Sequence, residues 1–320
     1  MSLKDKILEE LESNTDIYIS GQTLAEKFGV SRNAVWKAMN QIKEDGCKVA
    51  SVNNKGYRLL SKNDALSVEK ISESMSEYSK KLELSVFDSI DSTNNEAKRM
   101  TANGFCGDAL IVANEQTKGR GRLGRDFYSP KNTGVYMTFL FSTNIKLSSA
   151  VSVTTATAVA VVRAIESLTK AKPMIKWVND VYIGDKKACG ILTEAVTDFE
   201  TGSVQSIIIG IGINISTEEF PEELGGVATS LNINGLSRNK LIAAISNELL
   251  EIRSDLSNKS YIKAYREHSL IIGKSIDFYR NNIKYNAIAV DIDSDGGLIV
   301  KLPNGRTDVL SSGEVTVRLN

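Results

Sequence analysis

At 320 residues the chain exceeds the size at which a single hydrophobic core keeps growing, so two or three domains are expected. Its 39 basic and 39 acidic residues cancel, which removes any global electrostatic preference for nucleic acid or a membrane surface and makes any basic site a local one. The composition is otherwise that of an ordinary globular protein.

The opening MSLKDKILEELE carries acids throughout and no apolar centre, unlike a signal or transit peptide. No apolar run approaches the roughly 18 residues of a membrane span, so no membrane partner is expected. Leu3, Ile7, Leu8 and Leu11 recur at helical spacing. Leu24, Ala25 and Phe28 follow Ser20, a cap residue, in a second short helix that Gly29 ends. Ser31 can cap a third, whose buried face is Val35, Met39 and Ile42; the spacing is that of a helix-turn-helix. Beyond Gly46, Lys48 to Val52 and Tyr57 to Leu60 read as strands joined by the turn Asn53-Asn54-Lys55-Gly56, a hairpin wing. Residues 30–60 hold six cations (Arg32, Lys37, Lys43, Lys48, Lys55, Arg58) against Glu44 and Asp45, a local excess of four. Such a helix and wing can enter a major groove and flank its phosphates, with Ser31, Arg32, Asn33, Trp36, Lys37, Lys55 and Arg58 as the candidate DNA contacts. A module serving only as a protein contact has the same pattern.

Residues 61–82 are rich in serine and charge and weakly periodic, as in an interdomain connection. The expected division is therefore residues 1–62, a winged helix-turn-helix; 63–82, a linker; 83–270, a central mixed-sheet α/β domain; and 271–320, a small β-barrel. The central part alternates strand-like runs (84–87, 109–114, 135–142, 174–183, 188–196, 204–213) with helical stretches near 93–103, 147–170 and 238–267. From Ile271 onward, short strands are punctuated by Asp295-Gly296-Gly297, Pro303-Asn304-Gly305 and Ser312-Gly313. The fold class is thus α+β, multidomain.

Three islands carry chemistry. In NEQTKGRGRLGR, Asn114 to Arg125, Lys118, Arg120, Arg122 and Arg125 stand without an acid among them after Glu115. Interleaved glycines let backbone amides approach an anion, and arginine's fork suits phosphate or carboxylate. The pattern is neither a Walker A loop nor a dinucleotide fingerprint; a flexible basic surface loop is the alternative. In KWVND, strand alternation puts Lys176 and Trp177 on opposite faces with Asn179 and Asp180 at a turn, and Lys187, Gly190 and Ile191 follow. A plain hairpin with a solvated lysine would look the same. Asp88 to Glu96 sets hydroxyls at a helix start, where Thr93 and Glu96 have capping-box spacing. Cys47, Cys106 and Cys189 are widely spaced and odd in number, which argues against disulfides or a thiolate metal site and fits a reducing cytoplasm. His268 has no motif around it, which leaves little room for histidine catalysis.

In order and spacing, Ser92-Thr93-Asn94, Gln116, GRGRLGR at 119–125, KWVND at 176–180, Lys187 to Gly190 and GIGIN at 210–214 together resemble the biotin protein ligase family. With the winged helix ahead, the chain is similar to the bifunctional bacterial type, which also represses the biotin operon. The resemblance covers essentially the whole chain. It implies a core like that of class II aminoacyl-tRNA synthetases, a C-terminal SH3-like barrel, and a two-step acyl transfer. Biotin and Mg2+-ATP would give biotinyl-5'-adenylate, and a lysine of the apo biotin carboxyl carrier protein of acetyl-CoA carboxylase would then displace AMP. A mixed anhydride needs no Cys or His nucleophile.

The resemblance assigns biotin to Ser92, Thr93, Asn94, Gln116, Arg120, Gly121, Arg122, Lys187 and Gly190. It assigns the nucleotide to Gly119, Arg120, Arg122, Arg125, Lys176, Asn179, Asn214 and Arg318. Lys187, Arg122 and Asp180 are the catalytic candidates, Asp180 at the metal or as a base toward the acceptor lysine, and no residue is assigned as a metal ligand. Operator DNA and a homodimer in the adenylate-bound state are the further implied partners. Two positions depart from the family pattern. Phe127 stands where a tryptophan is usual, and Val178 replaces the proline of KWPND. The alternatives are a ligand-sensing repressor with an inactive ligase domain, or a lipoate ligase.

Overall fold

The computed structural model describes residues 2–14, 17–44, 47–52, 55–61, 64–142, 150–197, 203–233, 235–280, 283–311, 313 and 315–317. The chain forms two compact units, residues 1–65 with 234–239, and residues 66–233 with 240–320.

The first unit contains α1 (Leu3–Ser13), α2 (Gly21–Phe28) and α3 (Arg32–Glu44), then the antiparallel strands β1 (Lys48–Val52) and β2 (Gly56–Ser61). Ser20 caps α2 by accepting from Thr23 N at 3.0 Å, Gly29 ends it in the left-handed conformation, and Ser31 accepts from Ala34 N at 3.1 Å at the start of α3. Ile7, Leu11, Leu24, Ala25, Val35, Met39 and Ile42 are all buried, the faces expected from their periodicity. Burial of each larger side chain contributes about 1.5–3 kcal/mol, enough for three short helices that would not persist alone. Gly46, Asn53 and Asn54 lie outside the described residues.

The second unit opens with α4 (Val68–Glu73) and a 3-10 turn at Ser79–Lys81, inside the segment expected as a connection; Ile71, Met75 and Ser79 are buried there. Its main sheet comprises β3 (Glu83–Phe87), β4 (Ala109–Ala113), β5 (Gly134–Ser142), β6 (Pro173–Lys176), β7 (Asp180–Ile183), β8 (Lys186–Thr197) and β9 (Val204–Asn214), in the order β3-β4-β5-β9-β8-β7-β6. Only β3 and β4 pair in parallel. α5 (Thr93–Ala102) packs on β4, β5 and β9, and α6 (Ala150–Leu168) on β6, β7 and β8. The expected strand 174–183 is two strands around a turn at Trp177–Asn179. α7 (Glu222–Gly225) follows β9. The expected helix 238–267 is α8 (Arg238–Ser254) and α9 (Tyr261–Glu267), parted where Lys259 takes a left-handed conformation.

Against the expectation for apolar runs, Val151–Leu168 in α6 is as long and apolar as a membrane span, but two thirds of it is buried within the unit. Its threonines blur the run in the sequence. In the fold Thr155 and Thr157 return their hydroxyl bonds to the helix carbonyls of Val151 and Val153, so they bury without cost to the core.

The C-terminal strands β10 (Ser275–Arg280), β11 (Ile283–Ile292), β12 (Leu298–Lys301), β13 (Thr307–Leu310) and β14 (Val315–Val317) form an antiparallel sheet in the order β13-β12-β11-β10-β14. The edge strands β13 and β14 are four and three residues long and pair only with β12 and β10, so among the described residues the sheet is not closed into the expected barrel.

Candidate active site

A cleft of about 450 Å3 opens on the main sheet. Its floor is possible because β9 carries glycines. A Cβ at Gly210 would lie 2.2 Å from Asn94 Oδ1, and one at Gly212 would lie 2.5 Å from the Phe127 ring. At either distance a side chain would force its neighbour to shift. The start of α5 meets the stem of the arginine loop. Thr93 donates through its backbone N–H (2.9 Å) and its hydroxyl (3.1 Å) to Gln116 Oε1, which orients the Gln116 amide so that its Nε2 donates to Ser129 Oγ at 3.0 Å. Thr93 is therefore not the helix cap: Ser92 occupies that position, without a side-chain capping bond, and Glu96 pairs with Arg99. The buried Thr138 hydroxyl lies 2.7 Å from both Thr93 Oγ1 and Asn94 Oδ1. Asn94 Nδ2 and Lys98 Nζ both donate to Glu194, at 2.9 and 2.8 Å. Burial pushes the Glu194 carboxyl up, but the bonds from Lys98 and Asn94 outweigh it and hold the group below its usual range.

The cations line the same cleft. The arginine loop is a small hairpin: Phe127 N donates to Gly119 O, Gly121 N to Arg125 O, and the exposed Leu123 at its tip adopts a positive φ of 54°. Arg122 donates to Asn179 Oδ1 at 2.8 Å and to Gly313 O at 3.1 Å. Asn179 is itself fixed by donation from Nδ2 to Ile191 O. Arg120 donates to Asn95 Oδ1 at 3.2 Å. Lys187 Nζ lies 2.8 Å from Asp180 Oδ1, an ion pair without hydrogen-bond alignment, so Oδ1 is a buried acceptor still lacking a hydrogen bond. The expected alternation of Lys176 and Trp177 fails because β6 ends at Lys176. Both line the cleft; the tryptophan is anchored by Nε1 donation to Gly296 O at 2.9 Å, and the Trp177–Val178 peptide is cis.

The cleft thus gathers Ser92, Thr93, Asn94, Gln116, Arg120, Gly121, Arg122, Arg125, Lys176, Asn179, Asp180, Lys187, Gly190 and Asn214. Gly119 does not line it: this glycine is buried because a Cβ would meet Phe127 O at 2.3 Å. Arg318 lies outside the described residues; Val315 and Thr316 of the same terminal sheet reach the cleft. Phe127 takes its place against Gly190 and Gly212. Sequence reasoning missed the opposite wall, Tyr128, Phe220, Leu224, Val227 and Ala228, whose scattered apolar residues give no motif, and it missed Glu194, whose partners are about a hundred residues away. Cys189 is fully buried and burial pushes its thiol up, so it offers no thiolate. His268 binds Glu166 and Ala264 O, outside the cleft.

On the first unit, Ser31, Arg32, Asn33, Trp36, Lys37 and Lys55 are exposed, Trp36 by 54 %. Arg58 is partly buried, its guanidinium stacked 4.9 Å from the Tyr18 ring centre, which fixes it on the wing.

Residues 86–214 match the Biotin/lipoate A/B protein ligase family, residues 4–58 an HTH domain, and residues 271–318 the Biotin protein ligase C terminal domain. The bifunctional ligase/repressor BirA of Bacillus subtilis (strain 168) is 32% identical over 97% of this chain and 98% of its own length. That of Escherichia coli (strain K12) is 28% identical over 93% of this chain and 92% of its own. The structure of biotin protein ligase from Aquifex aeolicus in complex with biotin and ATP is 28% identical, with a TM-score of 0.61, covering 74% of this chain and 99% of that one. An ordered set of cleft residues, a helix-turn-helix in the same chain, and a relative alike over nearly its full length have one common origin: the chain belongs to the biotin protein ligase family, in its bifunctional ligase/repressor type.

Proposed function

We infer that the protein activates biotin with ATP, transfers it to a lysine of a biotin carboxyl carrier protein, and represses transcription in response. The observation that carries the enzymatic reading is one cleft that brings the neutral hydrogen-bonding side chains at the start of α5 together with the cations Arg120, Arg122 and Lys187. Ser92, Thr93, Asn94 and Gln116 can satisfy a ureido ring, whose donors and acceptors would otherwise be buried unpaired. Arg120, Arg122 and Lys187 face where a carboxylate must meet a phosphate. A carboxylate oxygen attacks the α-phosphorus, the bond to the bridging oxygen breaks, and pyrophosphate leaves. Charge grows on the phosphoryl oxygens in that step, and cations already held in place by Asn179, Gly313 and Asp180 stabilise it without reorganising. In the second step the acceptor amine attacks the anhydride carbonyl, AMP leaves and the amine loses a proton. Asp180 would have to release Lys187 to take that proton, so its first role in this reading is to aim Lys187. Lys176, Asn179, Asn214 and Arg125, with Gly119 shaping the loop, complete the nucleotide side, and Arg318 is assigned there by analogy.

Among the described residues no three His, Cys, Asp or Glu side chains gather to hold a metal. Mg2+ would enter as part of its ATP complex and supply charge neutralisation, with Asp180 and Asp126 the carboxylates of the cleft that could assist the phosphates in holding it. Three free cysteines, two of them buried, suit a reducing cytoplasm. The terminal sheet is taken as an SH3-like barrel in its strand order, and the core as the synthetase-like fold. The deciding experiment is pyrophosphate release by the purified protein with biotin, ATP and Mg2+, followed by labelling of apo carrier protein. Absence of both would leave the ligand-sensing repressor with an inactive ligase domain; faster turnover with lipoate would make it a lipoate ligase.

A further inference from the structure

Arg120 is solvent-exposed, yet its guanidinium has one defined partner, and that partner is neutral: Nη1 donates to Asn95 Oδ1 at 3.2 Å. The orientation of the Asn95 amide is set from behind. Its Nδ2 donates to Asp91 Oδ2 at 2.8 Å, and because a carboxylate only accepts, the amide oxygen must face the arginine. Asp91 is in turn gripped by Arg99, whose Nη2 and Nη1 donate to its two oxygens at 2.7 and 3.1 Å while Nε donates to Glu96 at 2.7 Å. That clamp holds the Asp91 carboxyl far below its usual range. The backbone of the same residue supports the loop, since Asp91 O accepts from Lys118 N at 2.8 Å. Two acids thus lie close to this chain, and both are satisfied by Arg99; a third, Glu194, feels the Arg120 charge but makes its bonds to Lys98 and Asn94.

We propose that Asn95 is a positioning residue for Arg120, its amide presenting the guanidinium to the cleft while leaving the positive charge uncancelled for the substrate anion. The proposal rests on the reading of the cleft as a carboxylate and phosphate site. An exposed arginine left to itself loses rotamer freedom when it meets an anion, and a prior hydrogen bond removes part of that loss. A carboxylate at position 95 could still accept from Arg120, but it would lose the donor that Asp91 now takes at 2.8 Å and would compete with the substrate for the guanidinium. The amide accepts from the arginine without that competition.

The test is a double-mutant cycle on biotin- and ATP-dependent pyrophosphate release, with N95A, N95D and R120A alone and N95A and N95D each combined with R120A. The expected result is a rise of about tenfold in KM for biotin for N95A with kcat little changed. N95D should raise KM further. N95A should have no additional effect once Arg120 is gone. Should N95A fail to fold, N95S, which is small and keeps a hydroxyl able to donate or accept, carries the same cycle. A KM unchanged by both Asn95 variants in protein where R120A raises it overturns the proposal. So does a loss of equal size with and without Arg120, which would make Asn95 a structural residue of α5. Wild-type protein that releases no pyrophosphate, or R120A with an unchanged KM, would instead overturn the reading of the cleft, and the proposal with it.

Discussion

Arg122 spends its terminal nitrogens on two neutral oxygens, Asn179 Oδ1 and Gly313 O, so it is held in place and keeps its charge. Arg122→Gly would remove a fixed cation and free a loop whose tip already carries a left-handed leucine. We expect dissociation of biotinyl-adenylate to accelerate at least about tenfold, measured by stopped flow or filter retention; an unchanged rate would deny Arg122 this role. Gly212 offers an independent probe of Phe127. Gly212→Ala would place a Cβ 2.5 Å from the ring, an overpacking that costs about 1–3 kcal/mol unless the ring leaves. The expected outcome is a raised KM for biotin that the further change Phe127→Leu partly restores, read from steady-state kinetics. The order of Gly and Arg in the loop was legible from residue types alone. That Gly119 is closely packed was not, because the atoms it touches, in Phe127 and Ser129, are brought back to it only by the hairpin.

At the scale of elements, α5 and β8 meet through Glu194, which accepts from Asn94 and Lys98. Its folded-state carboxyl lies below the ordinary value, so its contribution to stability is present above the unfolded value and lost as the pH falls through the folded one. Below about pH 4.3, where an unfolded glutamate takes up its proton, the second unit should lose stability in part through this group. Glu194→Gln should be less stable than wild type at neutral pH, and the difference should shrink on acidification. Thermal melts across pH 3–7, a range of about four units around that value, would show it; a constant difference would mean that the charge of Glu194 contributes nothing. Helices with a clear apolar period, α1 to α3, stood out in the sequence at once. The split of 174–183 into β6 and β7 did not, since Trp177 and Val178 are as apolar as the strands they separate, and the turn is decided by Asn179 bonding to Ile191.

For the whole molecule, the proposed function makes the occupied enzyme the repressor as well. A lone winged helix contacts one half-site, so useful affinity requires two copies. We expect gel-shift binding to operator DNA to require biotin together with ATP, and sedimentation to show dimers under the same conditions and not without ligand. DNA binding that ignores ligand, or dimers in its absence, would separate the two activities. Trp36, exposed on α3 among Arg32, Asn33 and Lys37, is the side chain through which such binding would be weakened without touching the cleft.

Local order determined the helix-turn-helix, the alternation of the central strands and the chemical character of each island, because periodicity, caps and residue types act over a few positions. The long apolar α6 was hidden by its threonines, and the terminal barrel was expected from turns that say nothing about whether edge strands meet. Only the tertiary structure decided that Thr93 turns to Gln116 instead of capping α5, that Lys187 pairs with Asp180, and that Arg122 donates to Gly313 O between β13 and β14. Those contacts join residues far apart in sequence, and a hydrogen bond between them exists only once the sheet has fixed both ends.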